Sequence, residues 1–244
     1  MVNLIDLTKK ASIVLEKKQL VGVQAEIVLA IDRSGSMTQL YRNGTVQGLV
    51  ERLLGIGMNM DADKEIDVFQ FNDGCNYVGA AKEANHADFV KKNKMTVSGG
   101  TKYAPVMKAV IDKYGTSLDN NTVKKGLFGG LFGKKEVAGS VIKPTHPTFV
   151  FFITDGNNSD AAETERVVRE SANQPIFWQF VGIGRENFTF LQKLDDLPGR
   201  YMDNANFFKV DDIKKVSDDE LYNKLLTEFP EWLREAKAKG MFKE

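Results

Sequence analysis

The sequence predicts an α/β domain: a doubly wound, mostly parallel six-stranded sheet with one antiparallel edge strand and helices on both faces. Two apolar runs carry most of that prediction. Ile27–Ile31 and Thr148–Ile153 match strands buried on both faces of a parallel sheet. Each ends on a carboxylate, Asp32 or Asp155, and then passes into Ser and Gly turn residues, as a strand does when it hands over to a helix. The third observation is Ile66–Phe71, which alternates and stops at Asn72-Asp73-Gly74, a hairpin signal. Asn76–Ala80 returns from that turn as the antiparallel edge.

In chain order, residues 4–20 place Leu4, Leu7, Ala11, Val14 or Leu15, and Leu20 at helical spacing, with a short β extension as the alternative. After the first strand, Met37–Asn59 reads as a helix whose first turns Asn43-Gly44 leaves open, with Val46, Val50, Leu53 and Leu54 inward and with Gly55 and Gly57 at a frayed end. Ala87–Lys92 is a brief helix, with His86 as its solvated start, and Tyr103–Tyr114 is a longer one. Asn157–Asp160 forms a polar loop capping the helix Ala161–Asn173. Ile176–Gly184 is a buried strand, Asn187–Asp195 a short helix and Asn206–Val210 the last strand. Asp218–Lys239 holds closing helices broken at Pro230. The expected division is an N-terminal helix or extension over 1–23, the main domain over 24–212 and a helical tail over 213–244 packing on the domain.

Residues 115–147 form an insertion. Its Gly and Pro content argues for a long loop, and a helix that starts at one sheet edge delivers this loop to the other. Leu127, Phe128, Leu131 and Phe132, flanked by Lys124, Lys125, Lys134 and Lys135, either make a docking finger for a partner or membrane surface or tuck under the sheet.

Composition narrows the class. Hydrophobic residues are 42% and charged residues 27%, as in an ordinary globular chain, so disorder is not indicated. Lys+Arg and Asp+Glu both number 33, which gives no global field toward nucleic acid or an acidic membrane. The single cysteine, Cys75, excludes an intramolecular disulfide. No run of signal-peptide or membrane-spanning length is found, and the expected location is cytoplasmic.

Function concentrates in the turns. Asp32, Ser34 and Ser36 put three oxygen-bearing side chains in the turn after the first strand, and Thr101 follows Gly99-Gly100 at the head of a helix. Loops that follow parallel strands gather on one sheet edge, so these residues and Asp155 should converge. Oxygen donors of this kind suit Mg²⁺ or Mn²⁺ better than zinc. Ser34 and Ser36 alone would equally read as helix caps.

The set Asp32-x-Ser34-Gly35-Ser36, Thr101 after two glycines, and Thr154-Asp155-Gly156 resembles the metal-ion-dependent adhesion site (MIDAS) of the von Willebrand factor A (VWA) domain, over roughly residues 24–212. The lead-in Leu7-Thr8-Lys9-Lys10-Ala11 through Leu15-Glu16-Lys17-Lys18 to Gly22-Val23 is similar to the bacterial tellurium-resistance, stress-response group. The resemblance implies a non-enzymatic adaptor in which bound Mg²⁺ (or Mn²⁺ or Ca²⁺) accepts an acidic side chain from a protein partner. Two other readings stand beside it. Strand-end aspartates with Mg²⁺ also serve phosphoryl transfer, but Ser34 occupies the place of a second carboxylate. Capture of single-stranded RNA would need a basic aromatic groove that is not apparent.

Overall fold

The two apolar runs lie side by side at the centre of a six-stranded sheet. The computed structural model describes residues 3–118 and 141–243. Strand β1 (Glu26–Asp32) pairs in parallel with β2 (Glu65–Phe71) on one side and β6 (Thr148–Thr154) on the other. Outward from β6 come β7 (Ile176–Ile183) and β8 (Ala205–Val210), also parallel. Outward from β2 comes β3 (Cys75–Lys82), antiparallel to it. The order is β3-β2-β1-β6-β7-β8, with β3 as the single antiparallel edge strand that the sequence predicts.

Because side chains alternate along a strand, each central strand feeds two cores. Ile27, Leu29 and Ile31 of β1, with Phe149, Phe151 and Ile153 of β6, join one apolar cluster. That cluster is covered by α3 (Thr45–Met60), α8 (Asp218–Leu225), α9 (Phe229–Ala238) and α1 (Leu4–Lys17). Val28 and Ala30, with Val150 and Phe152, join the other, beneath α5 (Ala104–Tyr114), α6 (Ala161–Ser171) and α7 (Thr189–Asp195). Phe229 stacks on Phe149 with ring centroids 4.2 Å apart, and Trp232 meets Phe177 at 5.4 Å. Trp178 is fully buried in the second cluster, its indole N–H donating to Ser171 Oγ at 3.0 Å.

Three expectations need correction. The helix anticipated over Met37–Asn59 is divided: a 3₁₀ turn at Gly35–Met37 leads into α2 (Thr38–Arg42), and α3 begins afresh at Thr45. Gly44, at φ +78°, breaks the run, and Asn43 Oδ1 accepts from Thr45 N and Oγ1 (3.0 and 2.6 Å), capping the new helix. Gly55 and Gly57 are not a frayed end but close-approach positions inside α3. A Cβ on Gly55 would stand 3.1 Å from the Leu7 backbone and 2.9 Å from Tyr222 Oη; one on Gly57 would stand 2.7 Å from Glu65 O and Ile66 Cγ2. Pro230 does not break a helix. It sits in the first turn of α9, where its missing N–H leaves no bond unmade.

The expected loop over 115–147 carries a two-residue ladder at its base, β4 (Ser117–Leu118) against β5 (Val141–Ile142), at the edge where β6 begins. Leu127, Phe128, Leu131 and Phe132 lie outside the described residues. Among the described residues no helix is long and apolar enough to cross a membrane.

Candidate metal centre

The parallel strands deliver their C-terminal ends to one edge, and the loops after β1 and β6 meet there because those strands are neighbours. Asp32 is the last residue of β1 and is fully buried. Its two oxygens are held separately: Oδ1 accepts from the Ser34 N–H and Oδ2 from Thr154 Oγ1, both at 2.6 Å. Ser34 Oγ and Ser36 Oγ share a hydrogen bond of 3.1 Å, and Ser36 Oγ donates to Asp155 Oδ1 at 2.7 Å. Asp32, Ser34, Ser36 and Asp155 therefore form one connected polar cluster from two loops.

Thr101 reaches the same edge by a different route. Its hydroxyl makes no hydrogen bond among the described residues, but its carbonyl accepts from Ser159 N and Oγ (2.9 and 3.1 Å), just beyond Asp155. Two residues earlier, Gly99 O accepts from Gly35 N at 3.3 Å. The loop before α5 thus touches both of the others through its backbone.

That loop is braced by residues read in the sequence only as turn formers. Asp73 Oδ2 accepts from Gly100 N (2.8 Å), and Asn72 Nδ2 donates to Ser98 O (2.8 Å). Gly99, at φ +79°, lies so close to this turn that a Cβ would stand 2.6 Å from Asp73 Oδ2. Asp160 was expected to cap α6. It occupies that N-cap position, yet its carboxylate instead accepts from Tyr103 N and Ala104 N (3.0 and 2.9 Å) at the start of α5. The charge satisfies free N–H groups of a neighbouring helix and ties the Thr101 loop to the Asp155 loop.

Two positioning roles go beyond the sequence reading, in which Thr154 figures only as part of the Thr154-Asp155-Gly156 motif. Thr154 orients Asp32, and the buried Tyr103 donates from its hydroxyl to Gly156 O at 2.6 Å. The available signal for Thr154 was a hydroxyl closing the apolar run Phe149–Ile153.

Electrostatically the cluster is short of positive charge. Burial, opposed by the bonds from Thr154 and Ser34, pushes the Asp32 carboxyl up to about 6, and the charge of Asp155 adds to the rise. Asp155 is also raised, first by burial, against the Ser36 bond, with Glu186 nearby. Among the described residues no group of three or more His, Cys, Asp or Glu side chains is placed to hold a metal. The donors here are two carboxylates and neighbouring hydroxyls, all hard oxygens, which fits a hard divalent cation.

A model of the family described as the vWA domain found in the TerF C terminus matches residues 24–125 and 134–242. An uncharacterized protein of Bacillus subtilis (strain 168), YcbR, is 39% identical over 246 residues, covering 98% of this chain and 90% of that protein. Proximal thread matrix protein 1 of the mussel byssus is similar in structure, with TM-score 0.52 and 19% identity over 84% of this chain, a likeness of fold alone. This chain spans 47% of that structure's length. With a family model covering most of its length and a relative this similar almost end to end, the chain belongs to the von Willebrand factor A domain family, in its TerF-like branch.

Proposed function

We propose that this chain is a metal-ion-dependent protein-binding module. Asp32, Ser34 and Ser36 would hold Mg²⁺, with Mn²⁺ or Ca²⁺ as alternatives, and Thr101 and Asp155 would contribute directly or through water. The observation that carries this reading is the hydrogen-bonded set Asp32–Ser34–Ser36–Asp155, which gathers two carboxylates with raised pKa values and offers oxygen donors only. A divalent cation bound there supplies an electrophilic centre, with a position left for a carboxylate from a partner protein.

The chain's own contribution is positioning. Thr154 and the Ser34 N–H fix Asp32 in one orientation, and Ser36 holds Asp155 toward it, so little side-chain freedom remains to be lost on binding. The match to the TerF-type model supports a finer proposal, an adaptor role within a cytoplasmic tellurium-resistance or stress-response complex.

Two measurements test this. Calorimetric titration with Mg²⁺, Mn²⁺ and Ca²⁺ should show binding to the native chain that Asp32→Ala and Asp155→Ala abolish. Capture of partners from the source cell should depend on Mg²⁺ and be lost in EDTA. A chain that binds no divalent ion, or one whose associations ignore the chelator, overturns the proposal.

A further inference from the structure

A groove of about 660 Å³ opens beside the metal centre, walled on one side by α2 and the Gly44 turn. The other wall runs from Asp88 through α4 (Phe89–Lys92) to Val97. Both walls are continuous with the site loops. Thr38 Oγ1 donates to Gly35 O (2.7 Å) and Tyr41 Oη to Asp32 O (3.0 Å). Across the groove, Val97 leads directly into Ser98, whose N–H donates to Arg33 O at 2.8 Å. Both walls of the groove are therefore tied by hydrogen bonds to the turn that carries Ser34 and Ser36.

The lining has a distinct chemistry. Arg42, Lys91 and Lys94 are exposed, and among the described residues none of their side chains forms an ion pair or hydrogen bond. Several cations across the sheet behave differently: Lys108, Lys113, Arg166 and Lys193 each pair with a carboxylate. Asp88 is the lone acid among the described groove residues, so positive charge is in excess. Half-buried Val90 and Val97 supply apolar contact between the cations.

Building on the metal-binding reading above, we infer that this groove docks an acidic segment of a partner protein. One carboxylate of that segment reaches the metal, while its neighbouring Asp or Glu side chains lie along Arg42, Lys91 and Lys94. Charge complementarity selects this occupant, because a basic segment would meet three cations against a single acid, Asp88. Exposed pairs of this kind contribute modestly one by one, and together set partner choice and association rate.

The probe is a fluorescently labelled hepta-glutamate peptide, titrated by anisotropy in Mg²⁺ at low salt, with a hepta-lysine peptide as control. The native chain should bind the acidic peptide and not the basic one. Combining Arg42→Glu, Lys91→Glu and Lys94→Glu should weaken binding about ten-fold or more, with an unchanged circular-dichroism spectrum and a difference that shrinks as salt rises. Asp32→Ala should remove the Mg²⁺-dependent part. If the triple variant binds like the native chain while EDTA abolishes binding, the groove inference falls and the metal reading stands. If EDTA and Asp32→Ala change nothing while the triple variant loses binding, the groove stands and the metal premise falls. Failure of the native chain to bind the acidic peptide overturns the inference outright.

Discussion

At the scale of single residues, the chemistry turns on Asp32. Its carboxyl, raised from 3.8 to about 6, binds a proton more tightly in the folded chain than in the unfolded one. The stability this group contributes is present in full below about pH 4 and is lost as pH climbs to about 6, an effect of about 2 to 3 kcal/mol without metal. Urea unfolding in EDTA should therefore show stability falling across that window, and saturating Mg²⁺ should offset the fall. Equal pH profiles with and without Mg²⁺ would contradict the assignment. Thr154→Val keeps the buried shape but removes the hydroxyl that holds Asp32 Oδ2. Mg²⁺ affinity should drop about ten-fold, as when a metal ligand loses its supporting hydrogen bond, with urea unfolding still cooperative. That Asp32, Ser34, Ser36 and Asp155 meet, with the Thr101 loop beside them, was legible because each ends or follows a strand or glycine turn. The positioning roles of Thr154 and Tyr103 were not, since a hydroxyl's role is decided by a partner far away in the chain.

At the scale of elements, the periodic helices and both-face-buried strands could be read because their apolar spacing is local. Contacts between elements could not. Gly55 and Gly57 look like helix breakers in isolation and become intelligible only once Leu7, Tyr222 and Glu65 are seen against them. Gly57→Ala separates the two views. A frayed end would gain up to about 1 kcal/mol from the better helix former, whereas a Cβ at 2.7 Å from Glu65 O should destabilise by about 1 to 3 kcal/mol. The midpoint of urea unfolding decides the sign. Asp160 teaches the same lesson, since the sequence places it at the start of α6 while its carboxylate serves α5.

Taken whole, the molecule is polarised. The edge reached by the C-terminal ends of β1 and β6 gathers the carboxylates and hydroxyls of the site and, in the neighbouring groove, cations that form no ion pair among the described residues. The opposite edge holds the starts of β6 and β7, the ladder of β4 and β5, and the aromatic contacts of α9. That distribution follows from topology, because a parallel sheet sends every strand-to-helix turn the same way. Both tryptophans, Trp178 near the start of β7 and Trp232 in α9, sit toward the second edge and are buried. Their fluorescence should accordingly be blue-shifted and indifferent to added Mg²⁺, turning red only when the chain unfolds. A spectral change on metal addition would mean that ordering at one rim is felt through the full height of the sheet, and the protein would then be a transmitter as well as a clasp.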